Sequence, residues 1–181
     1  PQAVAEALAD YAAFGAEGQV LVAASLSLSK AFTLYGSRAG ALVFPWCNDA
    51  TLKAALVTSC RGTWSNCARA PMSVLNRLVK DDAAQAALAA EHAHWRQVLT
   101  TRAEALDAAL KAEGLAGAPW DGGFFVTLPA APGPVRVSEA LQRHDLFAVP
   151  MPEGPRVGIC GLKASDAPRF AAAYKASLQV N

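Results

Sequence analysis

The chain has 181 residues, 53% of them hydrophobic and 17% charged, with 16 Lys and Arg against 15 Asp and Glu for a net charge of +1. That balance excludes a disordered chain and leaves enough apolar material for a sizeable core, much of it alanine, which suits close-packed helices. No basic stripe points to nucleic acid, and every apolar stretch is broken before the roughly 18 residues that a membrane span requires.

In chain order, Val4, Leu8 and Tyr11 share one face of an amphipathic helix over residues 2–13, with Gly15 and Gly18 ending it. Residues 19–25 (QVLVAAS) form a short apolar run between turn residues, the pattern of a buried and parallel strand. A second strand runs from Gly40 to Phe44 and stops at Pro45. Asn48 and Asp49 offer a cap for a helix over Thr51 to Cys60. From Pro71 to Lys111 the pattern is helical, interrupted at Asp81 and Asp82. The longer second helix carries Leu88, Trp95, Leu99, Leu106 and Leu110, and Gly114 and Gly117 terminate it. The last third changes character. It predicts strands over Phe124–Leu128, Leu146–Val149 and Arg156–Cys160, and a helix over Val137–His144. A final helix over Asp166–Leu178 has Ser165 as its cap. The class is α/β with two lobes, without internal repeats.

Cys47, Cys60, Cys67 and Cys160 form no C-x-x-C pair and lie outside ligand spacing of His92 and His94, so a zinc site is not expected. Free buried thiols in a reducing cytoplasm are the expectation, with a Cys60–Cys67 disulfide left open. The N-terminus lacks both an initiating Met and a signal-peptide pattern, and reads as a start inside a longer protein.

The chemistry centres on Lys30. It follows the first strand, with Ser25, Ser27 and Ser29 before it and Arg38 eight residues on. A lysine at a strand end can be partly desolvated, which frees its amine as a nucleophile. Hydroxyls and the planar guanidinium fork suit a phosphate. An amine beside a phosphate cradle is what pyridoxal phosphate requires. A surface lysine in a serine-rich loop is the competing reading.

Residues 27–40, Ser-Leu-Ser-Lys-Ala-Phe-Thr-Leu-Tyr-Gly-Ser-Arg-Ala-Gly, resemble the S-x-S-K-x-x-x-x-Y-G-x-R-x-G segment of class I aminotransferases, the aspartate and aromatic amino-acid group. Arg61-Gly62-Thr63-Trp64-Ser65-Asn66 is similar to that family's R-x-x-Y-S-N/S stretch, and Gly122-Gly123-Phe124 to its G-x-F strand. Pro155-Arg156-Val157-Gly158-Ile159-Cys160-Gly161 resembles its G-R-x-x-x-x-G strand. The four motifs occur in family order. Two positions depart from the pattern: Trp64 replaces a common tyrosine, and Cys67-Ala68-Arg69-Ala70-Pro71 stands where paired prolines often follow.

The resemblance implies the C-terminal part of a fold-type-I transferase. Residues 1–69 would end the mixed or parallel sheet of the large domain, residues 70–112 form the interdomain helices, and residues 113–181 the small α+β domain. It implies that Lys30 carries pyridoxal phosphate as a Schiff base and shuttles the substrate proton. Ser27 and Arg38 would bind the cofactor phosphate, and Arg156 the substrate α-carboxylate. Arg61 would reach a neighbouring subunit's site and read a side-chain carboxylate, although a helix-end cation satisfying carbonyls is an equal reading. Tyr35 and Phe124 match positions near cofactor and substrate. The implied partners are an amino acid, a 2-oxo acid and a second subunit.

The matched segment is somewhat under half of a usual member. The family's aspartate for the pyridine nitrogen, its tyrosine for the phenolic oxygen and its ring-stacking aromatic lie upstream of it. The expectation is therefore a chain inactive without that upstream portion. A lyase or synthase of the same fold, or a non-catalytic domain, are the alternatives.

Overall fold

The computed structural model describes residues 2–18, 20–130 and 133–179. The chain divides into two units, Pro1–Gln85 and Ala86–Asn181.

The first unit begins with α1 (Gln2–Ala16). Gly15 lies inside its last turn, where a Cβ would come within 2.4 Å of the Trp46 ring, so it admits a close aromatic contact and does not end the helix. The side chain of Val4 and all of Gln19 lie outside the described residues. Strand β1 (Ala24–Ser27) runs antiparallel to β2 (Gly40–Val43), with Ser27 opposite Gly40. This corrects the expected buried, parallel strand over residues 19–25. The strand starts later, and only Ala24 among its four residues is even half-buried. A two-stranded ribbon this short covers neither of its own faces, so apolar residues alone do not make it interior. Between the strands lie the one-turn helix α2 (Leu28–Ala31) and a 3₁₀ turn, Tyr35–Ser37.

Helix α3 (Ala50–Thr63) starts at Asp49, whose carboxylate accepts from the backbone N–H groups of Thr51 and Leu52, at 2.7 and 3.3 Å. The expected cap is in place. Helix α4 (Arg69–Lys80) ends before Asp81, whose side chain accepts from Ala84 N–H at 3.0 Å and starts α5 (Asp82–Ala112). At 31 residues, α5 extends about 46 Å. Among the described residues no helix is long and apolar enough to cross a membrane.

The second unit holds the core. Only the C-terminal half of the α5 stripe is interior: Ala103, Leu106 and Leu110 are buried, whereas Trp95 is 53% exposed and donates to Glu91 at 2.8 Å. The helix closes at Gly114 (φ +75°), where Gly114 N–H donates to Lys111 O and Leu115 N–H to Leu110 O, both at 3.0 Å. This paired closure requires the left-handed residue and turns Leu115 back onto the core.

Strands β3 (Phe125–Thr127), β4 (Val149–Met151) and β5 (Gly154–Gly158) form an antiparallel sheet in the order β3-β5-β4. The second and third strands are displaced from the expected Leu146–Val149 and Arg156–Cys160, because apolar Leu146 and Ile159 are drawn to the core from loops rather than from the ladder. Helices α6 (Pro134–Gln142) and α7 (Ala167–Ser177) pack beside this sheet. Ser165 does not cap α7; it sits within a 3₁₀ turn, Ala164–Asp166, that leads into it. Leu128, Val137, Leu141, Ile159 and Phe170 fill the core, each apolar side chain contributing about 1.5–3 kcal/mol by burial. Lys175 of α7 pairs with Glu113 at 3.1 Å.

Tyr174 is buried and donates from its phenol to Pro129 O. Burial pushes the phenol from its ordinary 10.0 up to about 12. Because the folded state favours the protonated phenol, its contribution is complete below pH 10 and disappears as the pH rises to about 12. Denaturant midpoints between pH 9 and 12 should therefore fall more steeply for the wild type than for Tyr174→Phe. The phenylalanine variant should itself lose about 1 kcal/mol at neutral pH with the hydrogen bond. Identical slopes would remove Tyr174 from the alkaline transition.

Candidate active site

Strand β1 passes directly into α2, and Ser27 is the joint. Its backbone is extended (φ −114°, ψ 133°) and its hydroxyl accepts from Ser29 N–H at 3.2 Å. Leu28 is 5% exposed and anchors the turn, its N–H bonded to Ala39 O at 3.1 Å. Gly40 closes the loop where a Cβ would stand 2.4 Å from Leu26 O, so the ribbon tolerates no side chain there.

On this frame Lys30 Nζ lies 4.7 Å from the centroid of the Tyr35 ring, and the Arg38 guanidinium lies 4.9 Å from the same ring. Arg38 Nη1 also donates to Tyr35 O at 3.1 Å. Its backbone is left-handed (φ 48°), an unfavourable conformation for a long side chain that the surrounding turn imposes. One aromatic ring thus gathers two cations whose mutual repulsion it offsets, at about 0.5–1 kcal/mol each when exposed. Lys30 itself is exposed, against the expectation of partial desolvation, because the ribbon beside it covers no face. Two cations next to hydroxyls form a donor set that fits a phosphate and a carbonyl-reactive amine. It therefore fits pyridoxal phosphate.

Arg61 lies in the last turn of α3, and its Nη1 donates to Ser65 O at 3.1 Å and Ser65 Oγ at 3.4 Å. Ser65 is left-handed (φ 67°), so Arg61 braces a strained turn within the first unit. Arg156 belongs to the second unit. It occupies the centre of β5, opposite Thr127 on one side and Val149 on the other. Val157 next to it faces the core, so alternation directs Arg156 to the opposite face. There its guanidinium stacks 4.7 Å over Phe125, and its Nε is buried without a hydrogen-bond partner among the described residues. A buried guanidinium N–H left unpaired costs about 1–3 kcal/mol or more, a cost that a bound anion would remove.

The structure thus brings Ser27, Lys30 and Arg38 onto one short loop, with Arg61 in the same unit and Arg156 in the other. Phe125 was missed as the ring beneath Arg156. The signal lay in the period of two: Phe125 pairs with Gly158 and shares a face with Thr127 opposite Arg156. The cysteines are not buried as expected: Cys47 and Cys60 are half-buried, Cys67 and Cys160 exposed. Among the described residues no three His, Cys, Asp or Glu side chains gather as metal ligands.

Residues 2–173 match the family profile of aminotransferase class I and II. An aminotransferase from Anaerococcus prevotii is similar in structure, with a TM-score of 0.76 and 27% identity over 87% of this chain and 39% of that one. The aromatic-amino-acid aminotransferase of Burkholderia pseudomallei, solved covalently bound to pyridoxal phosphate, gives 0.65 and 25% over 91% and 42%. The cytoplasmic aspartate aminotransferase of Giardia lamblia shares the fold at 0.68 and 22% identity, over 88% and 41%. No curated protein sequence matches. The chain spans about two fifths of the length of these solved structures. With the profile running through nearly every element described above, the chain belongs to the class I and II aminotransferase family and has the α/β fold of its type I members.

Proposed function

We propose that the protein exchanges an amino group between an amino acid and a 2-oxo acid, with pyridoxal phosphate held at Lys30. The observation that carries this reading is the convergence of Lys30 and Arg38 on the Tyr35 ring, on a turn capped by Ser27. We assign residues 1–69 to the end of the cofactor domain, 70–112 to the interdomain helices and 113–181 to the small domain. A cytoplasmic homodimer is part of the proposal, as is the need for protein outside this segment to complete the site.

When bound, pyridoxal phosphate supplies an electron sink for the bond broken at the substrate α-carbon. The residues of this chain do the rest. The Ser27 hydroxyl and the Arg38 fork hold the phosphate by charge-assisted hydrogen bonds. The Lys30 amine would hold the cofactor, and Nζ would carry the proton leaving the substrate α-carbon to the cofactor C4′. Arg156 uses its open Nε edge to receive the α-carboxylate, which sets the α-carbon in place.

The test is borohydride reduction of the protein after addition of pyridoxal phosphate, followed by peptide mapping. A phosphopyridoxyl group on Lys30, with a visible absorbance band that Lys30→Ala removes, is the expected result. The same group on Lys53 or Lys80 instead would overturn the assignment.

Arg61 is assigned to the side-chain carboxylate of a dicarboxylic substrate in the partner subunit's site. Arg61→Ala should then lower kcat/KM for aspartate or glutamate by about 2–5 kcal/mol, roughly 30-fold or more. Phenylalanine and tyrosine should be affected far less. Equal losses on both substrate types would mean that Arg61 serves only to brace Ser65.

A further inference from the structure

The end of α3 carries a feature that transamination does not use. Cys60 Sγ and Cys67 Sγ stand 4.0 Å apart. Trp64 and Ser65 N–H both bond to Cys60 O, at 3.1 and 3.0 Å, so the chain folds back on itself between the two thiols. Ser65 takes the left-handed backbone that makes this reversal, and Arg61 Nη1 fastens it at Ser65 O. Asn66 Oδ1 accepts from Cys67 N–H at 2.9 Å and orients the second cysteine. Cys67 is exposed and Cys60 half-buried.

We propose that Cys60 and Cys67 are a reversible dithiol–disulfide couple, oxidised by a low-molecular-weight disulfide such as glutathione disulfide, and that its ring encloses Arg61 to Asn66. A disulfide needs the sulfurs at about 2.05 Å, so closure requires an approach of about 2 Å. That is within the reach of two χ1 rotations at a helix end and an exposed loop.

The two sulfurs have different roles. The hydrogen bond to Cys67, then burial, hold the Cys60 thiol above its ordinary range, and the opposing pull of Arg61 is smaller. Half-buried Cys60 is also the less accessible sulfur, and exposed Cys67 is the first nucleophile. Its thiolate attacks one sulfur of the small disulfide, whose S–S bond breaks and expels one thiolate. The Cys60 thiolate then attacks Cys67 Sγ, forming the internal bond and expelling the second thiolate. The two protein thiols give up two electrons and two protons, and the small disulfide becomes two thiols.

The couple is tested on the native protein equilibrated in glutathione redox buffers, quenched by alkylation and digested with trypsin. Cleavage after Arg61 separates the two cysteines, so the ring appears as peptide 54–61 joined to peptide 62–69. The expected equilibrium constant for ring closure is at least about tenfold larger in the native protein than in guanidinium chloride, since the fold raises the effective thiol concentration. In Cys60→Ser, Cys67 should accumulate a single stable glutathione adduct. In Cys67→Ser, Cys60 should react more slowly. Equal closure in native and unfolded protein, or independent glutathione adducts on both cysteines of the native wild type, would overturn the couple. Faster reaction at Cys60 than at Cys67 would overturn the order of attack.

Discussion

Replacing Lys30 by arginine should abolish turnover while leaving the fold and the local charge in place. The guanidinium can still lie over Tyr35, as Lys30 does at 4.7 Å. It remains protonated across the working pH range, so it neither attacks a carbonyl nor accepts a proton from carbon. Loss of the general base alone is worth about 10²–10⁴-fold, and loss of the covalent tether adds to it. Steady-state rates on the active enzyme, with circular dichroism to confirm folding, measure this. Activity of Lys30→Arg within about tenfold of wild type would remove Lys30 from the chemistry.

Arg156→Lys should weaken the amino-acid and oxo-acid substrates together, each by about 2–5 kcal/mol, while cofactor absorbance persists. The reasoning rests on shape. Arg156 presents a planar fork fixed over Phe125, with an Nε–H that has no partner among the described residues. Lysine keeps the charge but offers a single point of contact and no second parallel donor. Stability gives an independent readout. Arg156→Met removes the unpaired buried donor, so its Tm should equal or exceed the wild-type value even as substrate affinity collapses. Loss of cofactor with normal substrate affinity in the remaining holoenzyme would make Arg156 a structural residue.

Several elements were legible because their cause is local. Asp49 caps α3 through its own neighbours, Thr51 and Leu52, within three residues. Asp81 separates α4 from α5 by the same chemistry, and Gly114 ends α5 through a left-handed turn that needs only its flanking residues. The Ser27, Lys30 and Arg38 motif was readable for a related reason: all three lie on one short loop, so spacing in sequence nearly equals spacing in space.

What depended on distant partners was not readable. The residues before Lys30 are apolar enough for a buried parallel strand, but the direction of pairing is set by β2 and the interior by whatever layer covers the ribbon. Trp95 sits in the same helical stripe as Leu106, yet one is exposed and the other fully buried, because the sheet and α7 pack only on the C-terminal half of α5. The environment of Arg156 required register: Phe125 comes beneath the guanidinium only once β3 pairs with β5. The Cys60–Cys67 approach needed the turn at Ser65. By itself, the sequence determined the Asp49 and Asp81 caps and the Gly114 helix end, since hydrogen bonds within a few residues decide them. Tertiary structure decided burial, strand pairing and the environment of each arginine, because those depend on surfaces brought together from far apart in the chain.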